Sequence, residues 1–306
     1  MNQHIVTVPL GSSIKEALAG VVDETAAITL VLEEGVYREK VVIDRRNVTL
    51  VGAGKTKTRI TYDDAASTVR DDIVLGTFAS ATLTVSADHF IAEHITIAND
   101  FDYPSHTYLV EKNPGKVKGL QAVAFRTTDA ADHTVLRDCA FLGYQDTLLL
   151  DAGSHHLSSC LVEGNIDFIF GAGKALFESC TIVSNGSGYV TAPSTKGGAL
   201  GFCFHHCTFT KREGVEVGSV YLGRPWHPGG DEHVHSFAML YDCYLDEHIH
   251  PDGWTWMHAF PPGGGEVIFK AEDSRFYEFL SKGPGSDTRR LNISLSQAVS
   301  LLQQYV

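Results

Sequence analysis

Apolar and polar positions exchange every few residues along most of the chain. From Ala27 onward, short runs of Val, Ile, Thr and Phe are broken by Gly, Asn, Asp and Ser, a pattern that predicts many short strands and few helices. The runs recur in one form, a small or polar residue followed by β-formers. It appears at Asn47-Val-Thr-Leu, His94-Ile-Thr-Ile, Cys139-Ala-Phe-Leu, Cys160-Leu-Val, Cys180-Thr-Ile-Val, Cys207-Thr-Phe-Thr and Cys243-Tyr-Leu. The shortest separations are about 20 residues, which is a solenoid period. The first two separations are roughly twice that, and read as pairs of turns averaging about 23 residues. Leucine-rich repeats share the period but need a leucine-dense consensus that is absent here. The expectation is therefore an all-β fold, a single-stranded right-handed parallel β-helix. Stacked coils need inward residues of similar size, and cysteine behaves as a small buried hydrophobe, so the cysteines predict a ladder.

The ends and the interruptions follow from the same reading. A first strand is expected over residues 4–8 and a helix over 13–22, where Ser13 and Glu16 stand at capping-box spacing. That helix would cover one end of the core, since an open sheet end invites association. Residues 100–119, 211–218 and 226–235 carry the Pro, Gly and charge of loops able to wall a cleft. After Gly253 the repeat fades, and residues 292–306 read as an amphipathic helix with Leu291, Leu295, Val299 and Leu302 on one face. No linker interrupts the chain, so one domain spanning 1–306 is expected.

Composition narrows the function classes. With 43% hydrophobic and 20% charged residues in 306, the chain has ample material for a core. A net charge of −13 without a basic cluster argues against binding nucleic acid or an anionic membrane. No apolar stretch is long enough to span a bilayer, and residues 1–20 lack a basic region followed by an apolar run. The expectation is a cytoplasmic monomer as the chain stands, with secretion after loss of a leader as the alternative. Six cysteines do not make a disulfide scaffold in a chain of this length.

The candidate chemistry lies in two aspartates. Asp146 and Asp167 stand at the same offset from Cys139 and Cys160, one short period apart. Either alone reads as a turn residue. In register on neighbouring coils, roughly 4.8 Å apart, two carboxylates would repel unless compensated, and would titrate in two coupled steps. One then serves as nucleophile or base and the other as acid. Other signals weaken on inspection. Gly52-Ala-Gly-Lys-Thr is similar to the end of a phosphate loop, but Thr49 stands where glycine is needed and strand-forming residues follow; it reads as a turn. His233, His235, His248 and His250 lack matched ligand spacing, as does Cys203-Phe-His-His-Cys. No metal and no cofactor are expected.

Several segments resemble signatures of the pectin methylesterases, in that family's order: GVYRE (35–39), QAVAFR (121–126), GYQDT (143–147), DFIFG (167–171), GFCF (201–204) and YLGRPW (221–226). The resemblance implies hydrolysis of C6 methyl esters of galacturonate in pectin or oligogalacturonates, with release of methanol. It implies Asp167 as nucleophile, Asp146 as general acid and later base, Arg224 as the partner of Asp167, and Gln121 and Gln145 as oxyanion donors. Trp226 would stack on a sugar ring. Phe168, Ile166, Tyr189, Phe202, Trp254 and Met257 are candidates to line the cleft, with ordinary core as the alternative for each. The net negative charge favours neutral, esterified stretches or short oligomers. The family sometimes bridges the cysteines matching Cys160 and Cys180; whether these two are bridged stays open. Rival readings are a lyase or glycoside hydrolase on the same coil and a carbohydrate-binding relative without activity.

Overall fold

A computed structural model describes residues 3–112 and 118–305. Its strands stack in parallel. Among the described residues, one ten-stranded sheet runs from Gln3–Val8 through Ala27–Leu32, Val48–Val51 and Ile91–Glu93 to Thr134–Arg137 and on to Arg275–Phe279. The other faces of the coil form a thirteen-stranded sheet. Its register is regular, with Ala140 opposite Leu161, Leu161 opposite Thr181, Thr181 opposite Thr208, and Thr208 opposite Tyr244.

The cysteine ladder has a physical cause at the corner between these sheets. His94, Asp138, Ser159, Ser179, His206 and Asp242 all have φ between 48° and 57°, the left-handed region in which short polar residues are favoured. The residue after each turns inward, and Ile95, Cys139, Cys160, Cys180, Cys207 and Cys243 are buried. Each thiol of Cys139, Cys160, Cys180, Cys207 and Cys243 donates to a carbonyl of the preceding coil, those of Ala92, Leu136, Leu157, Phe177 and Phe204, at 3.3 or 3.4 Å. All six cysteines are free thiols, Cys160 and Cys180 among them.

Two parts of the expected repeat are corrected. His94 aligns with Asp138, one position before the ladder, and Asn47 belongs to another corner with His89 and His133, all three with positive φ. Strand Val48–Val51 pairs directly with Ile91–Glu93, and that strand with Thr134–Arg137. The long early separations are thus single coils enlarged by insertions, not pairs of turns. One insertion holds the hairpin Val69–Arg70/Ile73–Val74 and the helix Gly76–Ala79. The other holds the helix Tyr103–Lys112, where a loop was expected; residues 113–117 of that stretch lie outside the described residues.

The N-terminal helix is Ile14–Ala19, shorter than expected. The Ser13 side chain accepts from the Glu16 amide, but Glu39, not Glu16, completes the cap. Its carboxylate accepts from Ser13 Oγ at 2.6 Å, Ile14 N at 2.8 Å and Lys15 N at 3.2 Å, placing negative charge at the positive end of the helix. Ile14 and Leu18 are buried in the core. At the other end, the antiparallel hairpin Met257–Ala259/Val267–Phe269 interrupts the coil, and Arg275–Phe279 then resumes it against Phe237–Tyr241, so the repeat persists past Gly253. The last helix is Leu295–Leu302, with a complete capping box between Ser294 and Gln297. Leu302 packs on Leu176, Cys203, Phe237 and Met239 as expected, joined by Ile293, Leu301 and Tyr305, whereas Leu291 and Leu295 are exposed. Val306 lies outside the described residues. Gly52 to Thr56 form the expected turn between strands Val48–Val51 and Thr58–Tyr62.

Candidate active site

Three consecutive coils build the site. The Ala122 amide donates to the Gln145 carbonyl at 3.1 Å, and the Asp146 amide to the Ile166 carbonyl at 3.0 Å. Beyond them, Phe125 stands opposite Leu148 and Leu148 opposite Ile169. Asp146 and Asp167 both adopt left-handed backbone, with φ of 64° and 48°. At Asp167 the strand Leu161–Gly171 is irregular: Ile166 faces Tyr189 and Ile169 faces Thr191, so one strand advances by an extra residue. Such a bulge re-aims a side chain, and it turns Asp167 outward while Phe168 and Ile169 both point into the core.

The two carboxylates are 8% and 7% exposed, for Asp146 and Asp167 respectively, yet they differ in partners. Arg224 donates from Nε to Asp167 Oδ1 at 2.9 Å and from Nη2 to Oδ2 at 2.7 Å, a bidentate, charge-assisted pair. The arginine is held in turn: its amide donates to the Thr191 carbonyl at 3.0 Å, and its guanidinium carbon lies 3.8 Å from the Tyr189 ring centroid. Burial raises the Asp167 pKa above the ordinary carboxylate range, and the hydrogen bonds and charge of Arg224 oppose it. At Asp146, burial and then the charge of Asp167 push the pKa well above that range, with Arg224 acting the other way at longer reach. Both shifts are upward, and the one at Asp146 is the stronger.

Both aspartates open into a cleft of about 410 Å³ together with Gln121, Gln145, Arg224, Trp226 and Met257, a size that suits a small ligand group. Thr77, Phe78, Phe170 and Ala192 complete the lining. Trp226 stands edge-on to Phe170, with ring centroids 5.7 Å apart. Those four additional residues were not singled out from sequence. Phe170 and Ala192 face each other on adjacent coils, and the bulge at Asp167 is what puts Phe170 outside and Phe168 inside. Thr77 and Phe78 sit on the short helix of an insertion, where no periodic signal marks them.

Five expectations for the lining are corrected. Phe168 and Phe202 are fully buried in the core, Phe202 on the ten-stranded sheet. Trp254 stacks on Phe276 at 4.4 Å. Tyr189 supports Arg224 from behind, and half-buried Ile166 pairs with Tyr189; neither lines the cleft. Among the described residues no group of three or more His, Cys, Asp or Glu is arranged to hold a metal ion.

The family model Pectinesterase matches residues 10–294. The chain belongs to the pectinesterase family. Among curated relatives, the chain is 34% identical to pectinesterase A of Dickeya chrysanthemi, over 94% of this chain and 83% of that one. Among solved structures, a pectin methylesterase from Erwinia chrysanthemi superposes with a TM-score of 0.92 at 32% identity, covering 98% of this chain and 96% of that one. A pectin methylesterase in complex with a hexasaccharide gives a TM-score of 0.92 at 33% identity with the same coverage. The parallel β-helix read from the repeat is the fold these neighbours share.

Proposed function

We propose that this pectinesterase hydrolyses the C6 methyl ester of galacturonate in pectin or methylated oligogalacturonates and releases methanol. The observation that carries the reading is the pair Asp146 and Asp167 in one cleft, with Arg224 bound in fork geometry to Asp167 alone. An ionised, immobilised Asp167 attacks the ester carbonyl and forms a tetrahedral oxyanion. The amides of Gln121 and Gln145, both in the cleft, donate to that developing charge; one such donor is typically worth roughly 100- to 1000-fold in rate. As the intermediate collapses, Asp146 gives its proton to the departing methoxide, leaving an anhydride between substrate and Asp167. Asp146, now ionised, takes a proton from water as the water attacks the acyl carbonyl, and Asp167 leaves as carboxylate.

Trp226 offers a flat apolar face to the sugar ring. The hexasaccharide held by a 33% identical pectin methylesterase supports an oligosaccharide as the ligand of this cleft. The test is methanol release from highly methylated pectin and from short methylated oligogalacturonates, for wild type and Asp167→Ala, while new reducing ends and unsaturated ends are followed. Methanol without chain cleavage, lost in the variant, is expected. Unsaturated ends would point to a lyase and reducing ends to a glycosidase, and no methanol from wild type would overturn the reading.

A further inference from the structure

Arg224 holds Asp167 by charge, and the reaction proposed above removes that charge part-way through. In the anhydride one Asp167 oxygen is bonded to the acyl carbon, so the aspartyl group is neutral, while Asp146 has given up its proton and is ionised. Asp146 lies within electrostatic reach of Arg224, so the guanidinium is then drawn away from its partner. A swing toward Asp146 would tie up the general base and leave the departing Asp167 carboxylate without its cation. During this interval the ion pair cannot be what keeps Arg224 in place.

A column of rings does not share that weakness. Ile166, Tyr189 and Tyr221 occupy one register position on three successive coils. The Arg224 guanidinium carbon, 3.8 Å from the Tyr189 ring centroid, is at the distance of a cation resting on an aromatic face. Tyr189 is itself stacked on Tyr221, with centroids 5.9 Å apart and planes at 21°, and Tyr221 on His250, at 4.2 Å and 23°. Backbone fixes the far end: the His250 amide donates to the Val220 carbonyl at 2.7 Å, and its Nδ1 accepts from the Asp252 amide at 3.1 Å. The bonds to Asp167 leave from Nε and Nη2, the edge of the guanidinium, whereas the ring takes its face. The two contacts coexist, and only the first depends on the charge of Asp167.

Resting on the esterase reading above, we propose that Tyr189, steadied by Tyr221 and His250, is a positioning residue for the second half of the reaction, holding Arg224 beside Asp167 while that residue is acylated. When water attacks the acyl carbon and the bond to the Asp167 oxygen breaks, the returning carboxylate finds its cation in place.

Methanol leaves during acylation, so slower deacylation lowers kcat and KM together and leaves kcat/KM nearly unchanged. With a short methylated oligogalacturonate, Tyr189→Leu is expected to lower kcat about tenfold, to lower KM in proportion, and to raise the rapid-quench burst of methanol toward one equivalent of enzyme. The acidic limb of kcat/KM against pH stays in place, because the free enzyme keeps its ion pair. Tyr189→Phe, which keeps the ring face, recovers most of kcat, and Tyr221→Leu shows the same split to a smaller degree. Tyr241→Leu, which removes a half-buried ring packed on His205 and Phe279 of the ten-stranded sheet, leaves both constants as in wild type. A misfolded fraction would lower kcat and kcat/KM alike and shrink the burst. That pattern, an unchanged kcat in Tyr189→Leu, or a Tyr189→Phe as slow as Tyr189→Leu overturns the positioning role and leaves the esterase reading intact. No methanol from wild type overturns both.

Discussion

Arg224 gives two hydrogen bonds to Asp167, so Asp146 meets burial and its neighbour's charge with little relief. The proposed mechanism needs Asp167 ionised and Asp146 protonated, and so predicts a bell-shaped profile of kcat/KM against pH, its acidic limb set by Asp167 and its alkaline limb by Asp146. Replacing Arg224 with Gln removes the charge that holds the Asp167 pKa down, and the acidic limb is expected to move up by about one pH unit or more. A limb that stays in place would remove Arg224 from this role. The same shift has a stability sign. A carboxylate whose folded pKa is raised binds more protons folded than unfolded, so stability falls as pH rises from about 3.9 through the folded value. Asp146→Asn abolishes that loss, and is expected to raise Tm by about 2–5 °C at neutral pH, with no gain near pH 3, while activity is lost. Scanning calorimetry at both pH values checks it. At this scale, Asp146, Asp167, Arg224, Gln121, Gln145, Trp226 and Met257 were legible in the sequence as cleft residues. Phe168 was wrongly placed in the cleft, because alternation along a strand fails at a bulge, and the extra residue at Asp167 leaves no mark in composition.

Individual coils are spaced so tightly that some positions exclude even a methyl group. Gly171 ends the strand that carries Asp167 and has φ of 121°, and a Cβ there would stand 2.1 Å from the Leu150 carbonyl oxygen of the preceding coil. Strain and backbone clash act together, so Gly171→Ala is expected to cost about 2–3 kcal/mol or more. Gly214, with φ of 87° and open space around it, isolates the strain alone, and Gly214→Ala should cost about 1–2 kcal/mol. Urea unfolding of the two variants separates these contributions; equal losses would show that the close approach of the coils is not what restricts Gly171. The coil itself was legible because corners demand short polar residues and inward positions demand small apolar ones, as at Asp138-Cys139 and Asp242-Cys243. Residues 100–119 were legible as a segment projecting from the coil, though not as a helix, but the insertion between Asn47 and His94 was not. A segment that leaves the coil and returns carries no periodic mark, so the stretch from Asn47 to His94 read as two coils when it holds one, together with the helix that brings Phe78 to the cleft.

Over the whole molecule, the cleft depends on how the last coil is fastened. The Leu222 amide donates to the Gly253 carbonyl at 2.6 Å and the Thr255 amide to the Gly223 carbonyl at 3.0 Å, so residues 253–255 buttress the strand that presents Arg224 and lead into Met257 of the cleft wall. Arg290 secures the start of this segment through Nη1 bonds of 3.0 Å to the carbonyls of His250 and Pro251. Its Nε reaches Glu278 Oε1 at 3.3 Å, in a pair whose side chains are 7% and 0% exposed. Burial raises the Glu278 pKa, and Arg290 is what opposes it. Arg290→Met leaves a buried acid without its cation, and a loss of about 3–5 kcal/mol is expected. The sign with pH follows, because the Glu278 folded value rises further in the variant. Its deficit therefore grows as pH increases from the ordinary glutamate range and is smallest in acid, where Glu278 is protonated in both states. Because coils in a solenoid are stabilised by their neighbours, the terminal coil should open before the rest and take Met257 and the Arg224 buttress with it. Activity is then expected to fall at a lower urea concentration than the main loss of far-ultraviolet circular dichroism. Adding Glu278→Leu to Arg290→Met should recover most of the stability without restoring the carbonyl bonds to 250 and 251, so activity should return less fully than the fold. Full recovery of both would mean that the buried charge, and not the fastening of the segment, is what Arg290 contributes.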